Sequence, residues 1–109
     1  MATFDDFLKL DIRVGTIVEA GLNEKARKPA YRLRIDFGRE LGVKTSSAQI
    51  TEKYSPEELI GRQILAVVNF PPRQVAGVMS EVLVLGTYSE GGVVLITPDM
   101  NVDNGDRLG

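Results

Sequence analysis

Two apolar runs joined by a proline-rich corner constrain this chain more than any other feature. Residues 63–70, Gln-Ile-Leu-Ala-Val-Val-Asn-Phe, are rich in Val and Ile, contain no breaker and read as a strand. Residues 82–85, Val-Leu-Val-Leu, read as another. Between them Pro71 and Pro72 each fix φ and remove a ladder donor, which stiffens the strand exit. Gly77 then supplies backbone freedom that a residue with a Cβ lacks. Asn69, Arg73, Ser80 and Glu81 are therefore polar groups carried on a rigid connection between two buried strands, where a site is readily built.

The rest of the chain supplies partners for those strands. Residues 3–10 predict a short helix: Thr3 caps it, Asp5 and Asp6 occupy the first turn, and Phe4, Phe7 and Leu8 form an apolar stripe. So short a helix must pack on something, in this domain or in a second copy. Residues 11–20 alternate, with Ile12, Val14, Thr16 and Val18 on one face, and read as a strand. A polar, basic loop containing Pro29 follows. Residues 31–37 give the clearest strand, with Tyr31, Leu33, Ile35 and Phe37 directed to the core and Arg32, Arg34 and Asp36 outward. Residues 43–50 form a third strand with small, hydroxylated side chains. A second helix starts at Ser55, with Pro56 at its first position and Glu58 completing a capping box, and ends at Gly61. A Ser-Glu-Gly-Gly turn at 89–92 leads into a last strand, 93–96. Three strands, a helix, then two or three strands is the pattern of a five-stranded Greek-key OB barrel, all-β apart from one short inserted helix and one N-terminal helix. A small sandwich does not account for the capped helix at Ser55.

Composition narrows the chemistry. At 109 residues, 43% hydrophobic and 26% charged, residues 1–109 are expected to form one globular domain. There is no Cys and no His, which removes thiolate chemistry, the usual general base and the commonest metal ligand. The expectation is a binding protein that is not an enzyme and holds neither cofactor nor metal. Residues 99–105 imitate the start of a calcium loop, but the Gly comes one residue late and no bidentate Glu follows. The first residues have neither a basic n-region nor an apolar h-region, and no run reaches the ~20 apolar residues of a membrane span. A cytoplasmic location without membrane insertion is expected.

Net charge is −2, yet residues 21–44 hold seven bases against three acids. Such a local basic face can attract phosphate, or can simply keep a strand edge solvated. On an OB barrel the exposed strand face and adjacent loops take nucleic acid or an extended peptide. The candidates here are Arg32, Arg34, Lys44, Ser46, Ser47, Asn69, Arg73 and Ser80, with Phe70 and Met79 as apolar contacts. Asn69 has a plainer alternative, hydrogen bonding to the corner's own backbone. Arg73 has the weakest structural excuse. Aromatic residues make up only 6%, which leaves few platforms for base stacking.

Three spaced motifs carry a resemblance. Leu-Asp-Ile-Arg-Val-Gly-Thr-Ile-Val at 10–18, Val-Asn-Phe-Pro-Pro-Arg at 68–73 and Ala-Gly-Val-Met-Ser-Glu at 76–81 resemble the tRNA-binding domain family. Its members are OB-fold modules found alone or appended to aminoacyl-tRNA synthetases. Ser-Ser-Ala-Gln-Ile-Thr at 46–51 and Ser-Glu-Val-Leu-Val-Leu at 80–85 are similar to its small bacterial members described as export-related chaperones. The resemblance implies a homodimer joined through the N-terminal helix, residues 1–10, and the C-terminal segment, residues 98–109, with Phe4, Phe7 and Leu8 at the interface. It also implies a ligand surface at Lys44, Ser46, Ser47, Asn69, Arg73, Met79 and Ser80. The expected ligands are unfolded or preprotein polypeptides, in cooperation with the preprotein translocation machinery. The alternative is tRNA, with Arg32, Arg34, Lys44 and Arg73 on phosphates. Gln74 stands where relatives often carry a second base, which lowers the tRNA affinity expected.

Overall fold

The computed structural model describes residues 1–109. Its first helix is α1 (Phe4–Leu8), shorter than the predicted 3–10. Strands β1 (Ile12–Leu22), β2 (Tyr31–Asp36) and β3 (Val43–Ala48) follow, then α2 (Pro56–Leu59) and β4 (Gln63–Val67). Two three-residue strands, β5 (Arg73–Val75) and β6 (Val78–Ser80), come next, then β7 (Leu83–Val84) and a last pair, β8 (Gly86–Ser89) and β9 (Gly92–Leu95). The antiparallel order β3-β2-β1-β4-β7 is that of a five-stranded OB barrel. Long β1 makes this possible: Ile12–Thr16 pairs with β4, and Thr16–Leu22 with β2. The barrel nearly closes where Glu81 N donates to Thr45 O at 2.8 Å, beside the free edge of β3.

Alternation along the strands fills the interior with Ile17, Leu33, Ile35, Phe37, Ile64 and Ala66, all wholly buried. Leu59 of α2 joins them, its burial stabilising by about 1.5–3 kcal/mol. The helix opens as predicted, with Glu58 Oε1 accepting from Ser55 N at 2.8 Å. Gly15 sits where the core is tightest: a Cβ there would lie 2.6 Å from Ile35 Cγ2 and 2.8 Å from the Phe37 ring.

The predicted face of residues 12–18 splits in two. Ile12 and Val14 point away from the interior and, with Leu65 and Val67 of β4, form a second cluster covered by Phe7, Leu10, Leu85 and Ile96. A register shift between Ile17 and Glu19 leaves Val18 41% exposed. Strands β1 and β4 are thus buried on both faces, so simple alternation does not separate inside from outside there.

The C-terminal residues lie along the edge of β1 that β2 leaves open. Val14 N donates to Asp106 O at 2.9 Å, Gly105 N to Val14 O at 2.7 Å and Leu108 N to Ile12 O at 2.8 Å. Side chains finish the attachment. Gln63 Nε2 donates to Val102 O at 2.7 Å, Val102 N returns a bond to Gln63 Oε1 at 3.1 Å, and Thr16 Oγ1 donates to Asn104 Oδ1 at 2.7 Å. No helix is long and apolar enough to cross a membrane.

Candidate ligand groove

The stretch after β4 departs from the simple corner expected of it. The strand ends at Val67 rather than Phe70, and the connection is a tight hairpin in which Arg73 faces Ser80, Gln74 faces Met79 and Val75 faces Val78. Ala76 and Gly77 both have positive φ, 47° and 83°, as a two-residue type I′ turn demands. Ala-Gly is not the favoured pair for that turn, which is why the sequence signal was faint.

The hairpin is held against β3 by side-chain oxygens. Ser47 N donates to Ser80 Oγ at 3.1 Å, and Thr45 N to Glu81 Oε1 at 3.0 Å. Each oxygen stands in for the backbone carbonyl that a regular neighbouring strand would present. Between hairpin and barrel runs an open groove of about 230 Å³. Phe70, Pro71, Val75, Val82 and Leu83 give it an apolar side, and Ser47, Arg73, Ser80 and Glu81 a polar one. Phe70 and Leu83 are 43% and 50% exposed, so the apolar side is open to a ligand.

Of the predicted site residues, the structure gathers Ser47, Phe70, Arg73 and Ser80 in this groove. Arg32 adjoins it, directly opposite Ser47 in the β2–β3 register. Arg34 shares that face, but its Nε lies 3.4 Å from Glu19 Oε2. Lys44 is on the opposite face of β3 from Ser47, and Met79 is on the opposite face of the hairpin from Ser80.

Two residues require correction. Ser46 is a core residue, 1% exposed, because it faces inward opposite Leu33; its hydroxyl donates to Val82 O at 3.1 Å, so it presents nothing to a ligand. Asn69 does bond backbone, but that of residues 9 and 11 rather than the corner's own. Its Oδ1 accepts from Asp11 N and its Nδ2 donates to Lys9 O, both at 2.9 Å, which ties the end of α1 to the exit of β4. Pro71, Val75, Val82 and Leu83 are lining residues that the sequence did not single out. Of the proposed interface residues, Phe7 packs on the second cluster, while Phe4 is 71% and Leu8 48% exposed.

A family model described as "Putative tRNA binding domain" matches residues 12–107. The chain belongs to the tRNA-binding domain family. Curated relatives include a methionine–tRNA ligase of Porphyromonas gingivalis, 42% identical over 106 residues. That match takes in 96% of this chain and 15% of the ligase, so the chain spans only a small part of those relatives. Two solved structures are alike over the whole length. The chaperone CsaA from Bacillus anthracis is 59% identical, with TM-score 0.93 and coverage of 100% of this chain and 99% of that one. The CsaA chaperone protein from Picrophilus torridus is 53% identical, with TM-score 0.96 and coverage of 100% of both chains. Within the tRNA-binding domain family, the chain is therefore similar along its whole given length to CsaA chaperones.

Proposed function

We propose that this protein is a polypeptide-binding chaperone of the CsaA kind, acting as a homodimer on unfolded or export-bound chains together with the preprotein translocation machinery. The observation that carries this reading is the composition of the groove. An apolar side of five residues, open at Phe70 and Leu83, faces hydroxyls and an arginine, a combination suited to apolar side chains and polar backbone at once. The exposed Phe4 and Leu8 of α1 supply an apolar surface for a second copy, and a two-fold pairing of one patch with itself is the commonest oligomer geometry. Full-length similarity to CsaA chaperones supports the same reading.

The test is light scattering of a thermally unfolding client. Suppression is expected at stoichiometric amounts of the protein. Leu83→Glu, which places a charge on the apolar side, is expected to abolish it without lowering the melting temperature of the variant. A client that aggregates equally with and without the unmodified protein removes the proposal.

A second reading, a structure-specific tRNA binder, rests on the family match and on Arg32, Lys44 and Arg73, none of which is in an ion pair. On that reading tRNA affinity falls steeply with salt, and Arg73→Ala reduces the salt slope.

A further inference from the structure

The outer surface carries a row of residues that no single strand reveals. Arg32 of β2 faces Ser47 of β3, Ser47 N bonds to Ser80 Oγ of β6, and Ser80 faces Arg73 of β5. The row runs Arg-Ser-Ser-Arg across four strands, basic at both ends and hydroxylated between. Two ladder steps of about 4.8 Å, with the 3.1 Å contact of Ser47 N and Ser80 Oγ between them, set the two arginine backbones roughly 15 Å apart when the row is straight.

Neither arginine has a carboxylate partner, although the chain carries 15 acids against 13 bases. Arg34, on the same face as Arg32, is answered by Glu19. Glu81, the acid in the groove lining, has its Oε1 held by Thr45 N. Two cations without partners thus bracket a floor that is apolar and hydroxylated.

We infer that the groove selects extended polypeptide segments whose apolar side chains are bracketed by acidic residues about four to five positions apart. This deepens the polypeptide reading and rests on it. The spacing follows from a rise of about 3.3 Å per residue in an extended chain crossing roughly 15 Å. Carboxylates reaching Arg32 and Arg73 gain rim ion pairs that steer and orient the segment, while affinity comes from the apolar contacts. RNA phosphates would also satisfy two arginines. Phe70, however, is the only aromatic ring in the lining, which gives bases little to stack on.

The test uses the full chain and three labelled synthetic peptides with one shared apolar core, flanked on both sides by Glu, by Gln or by Lys. At low salt the Glu peptide is expected to bind roughly tenfold tighter than the Lys peptide, the combined effect of two exposed charge pairs. Added salt should close that gap, a result that needs no variant. The double charge reversal Arg32→Glu, Arg73→Glu should invert the order. Equal binding of all three peptides overturns the inference and leaves the polypeptide reading intact. No peptide binding at all, together with a salt-sensitive tRNA shift lost in the double variant, overturns both and assigns the arginines to RNA.

Discussion

Two short segments lie along open edges of this barrel, and they are attached in opposite ways. The C-terminal strap beside β1 is tied by backbone bonds at Ile12 and Val14 and locked by the two-way bond between Gln63 and Val102. The β5–β6 hairpin and the residues after it meet β3 with one backbone donor, Glu81 N, with Val82 O accepting from the Ser46 hydroxyl, and with the side-chain oxygens of Ser80 and Glu81. A backbone edge is filled by a strand and has nothing left to offer. A side-chain edge leaves hydroxyls, an arginine and an apolar flank at the surface. The strap completes the fold, and the hairpin equips it with a groove.

The sharpest way to break this contrast is at Gly105. Its φ is +94°, and a Cβ there would lie 2.7 Å from Phe37 O. Gly105→Ala therefore forces a left-handed alanine against backbone, with an expected loss of about 2–3 kcal/mol. Denaturant unfolding checks it, and peptide binding in the folded fraction should stay within a factor of two or so of the parent. A loss below about 0.5 kcal/mol would show that the strap is not a structural element.

On the hairpin side the expected effect is smaller and its character differs. Glu81→Ala removes the acceptor of Thr45 N, a charge-assisted bond worth about 1.5–2 kcal/mol in a partly buried position. Glu81→Gln keeps an oxygen there and should recover about half of the loss. Because the same carboxylate lines the groove, both variants should also alter peptide affinity, which Gly105→Ala should not. If Glu81→Ala changes stability and leaves binding untouched, the two segments do not divide their roles in this way.

Legibility in the sequence follows the same divide. Residues 31–37 alternate cleanly because Tyr31, Leu33, Ile35 and Phe37 face one core and the outer face is solvated. The helix at Ser55 was readable because Pro56 and Glu58 act within four residues of each other. Ile12 and Val14 were misleading for the opposite reason: their strand is buried on both faces, by contacts from α1 and from residues far along the chain. Ser46 resembles a surface serine in every local respect, and only its pairing with Leu33 places it inside. Arg73 and Ser80 could be singled out because a stiff polar connection stands out between apolar runs. Their pairing, and the link through Ser47 to Arg32, belongs to register, which alternation alone does not specify.

The smallest effect concerns α1, which is capped by its own side chains at its start and tied to the barrel at its end. At its start Thr3 N donates to Asp6 Oδ2 at 3.0 Å, Asp6 N donates to Thr3 Oγ1 at 3.3 Å, and Lys9 Nζ lies 3.4 Å from Asp6 Oδ1. The backbone bond from Thr3, followed by the side-chain bond from Lys9 Nζ, lowers the Asp6 carboxyl below its ordinary value of 3.8. A depressed carboxyl contributes stability that is complete above pH 3.8 and is lost as pH falls through the lower folded value. At its end the helix is tied by Asn69, whose amide does not titrate. Acid should therefore loosen the first turn and leave the Asn69 attachment in place. Amide exchange followed by NMR, expressed as protection relative to the intrinsic rate at each pH, is expected to fall at Asp6 and Phe7 below pH 4, with protection at Asp11 unchanged, and Asp6→Asn should remove the pH dependence. Asp11 and Asp6 exchanging together with one midpoint would mean that the helix opens as a unit, and that the amide clamp depends on the carboxylate cap.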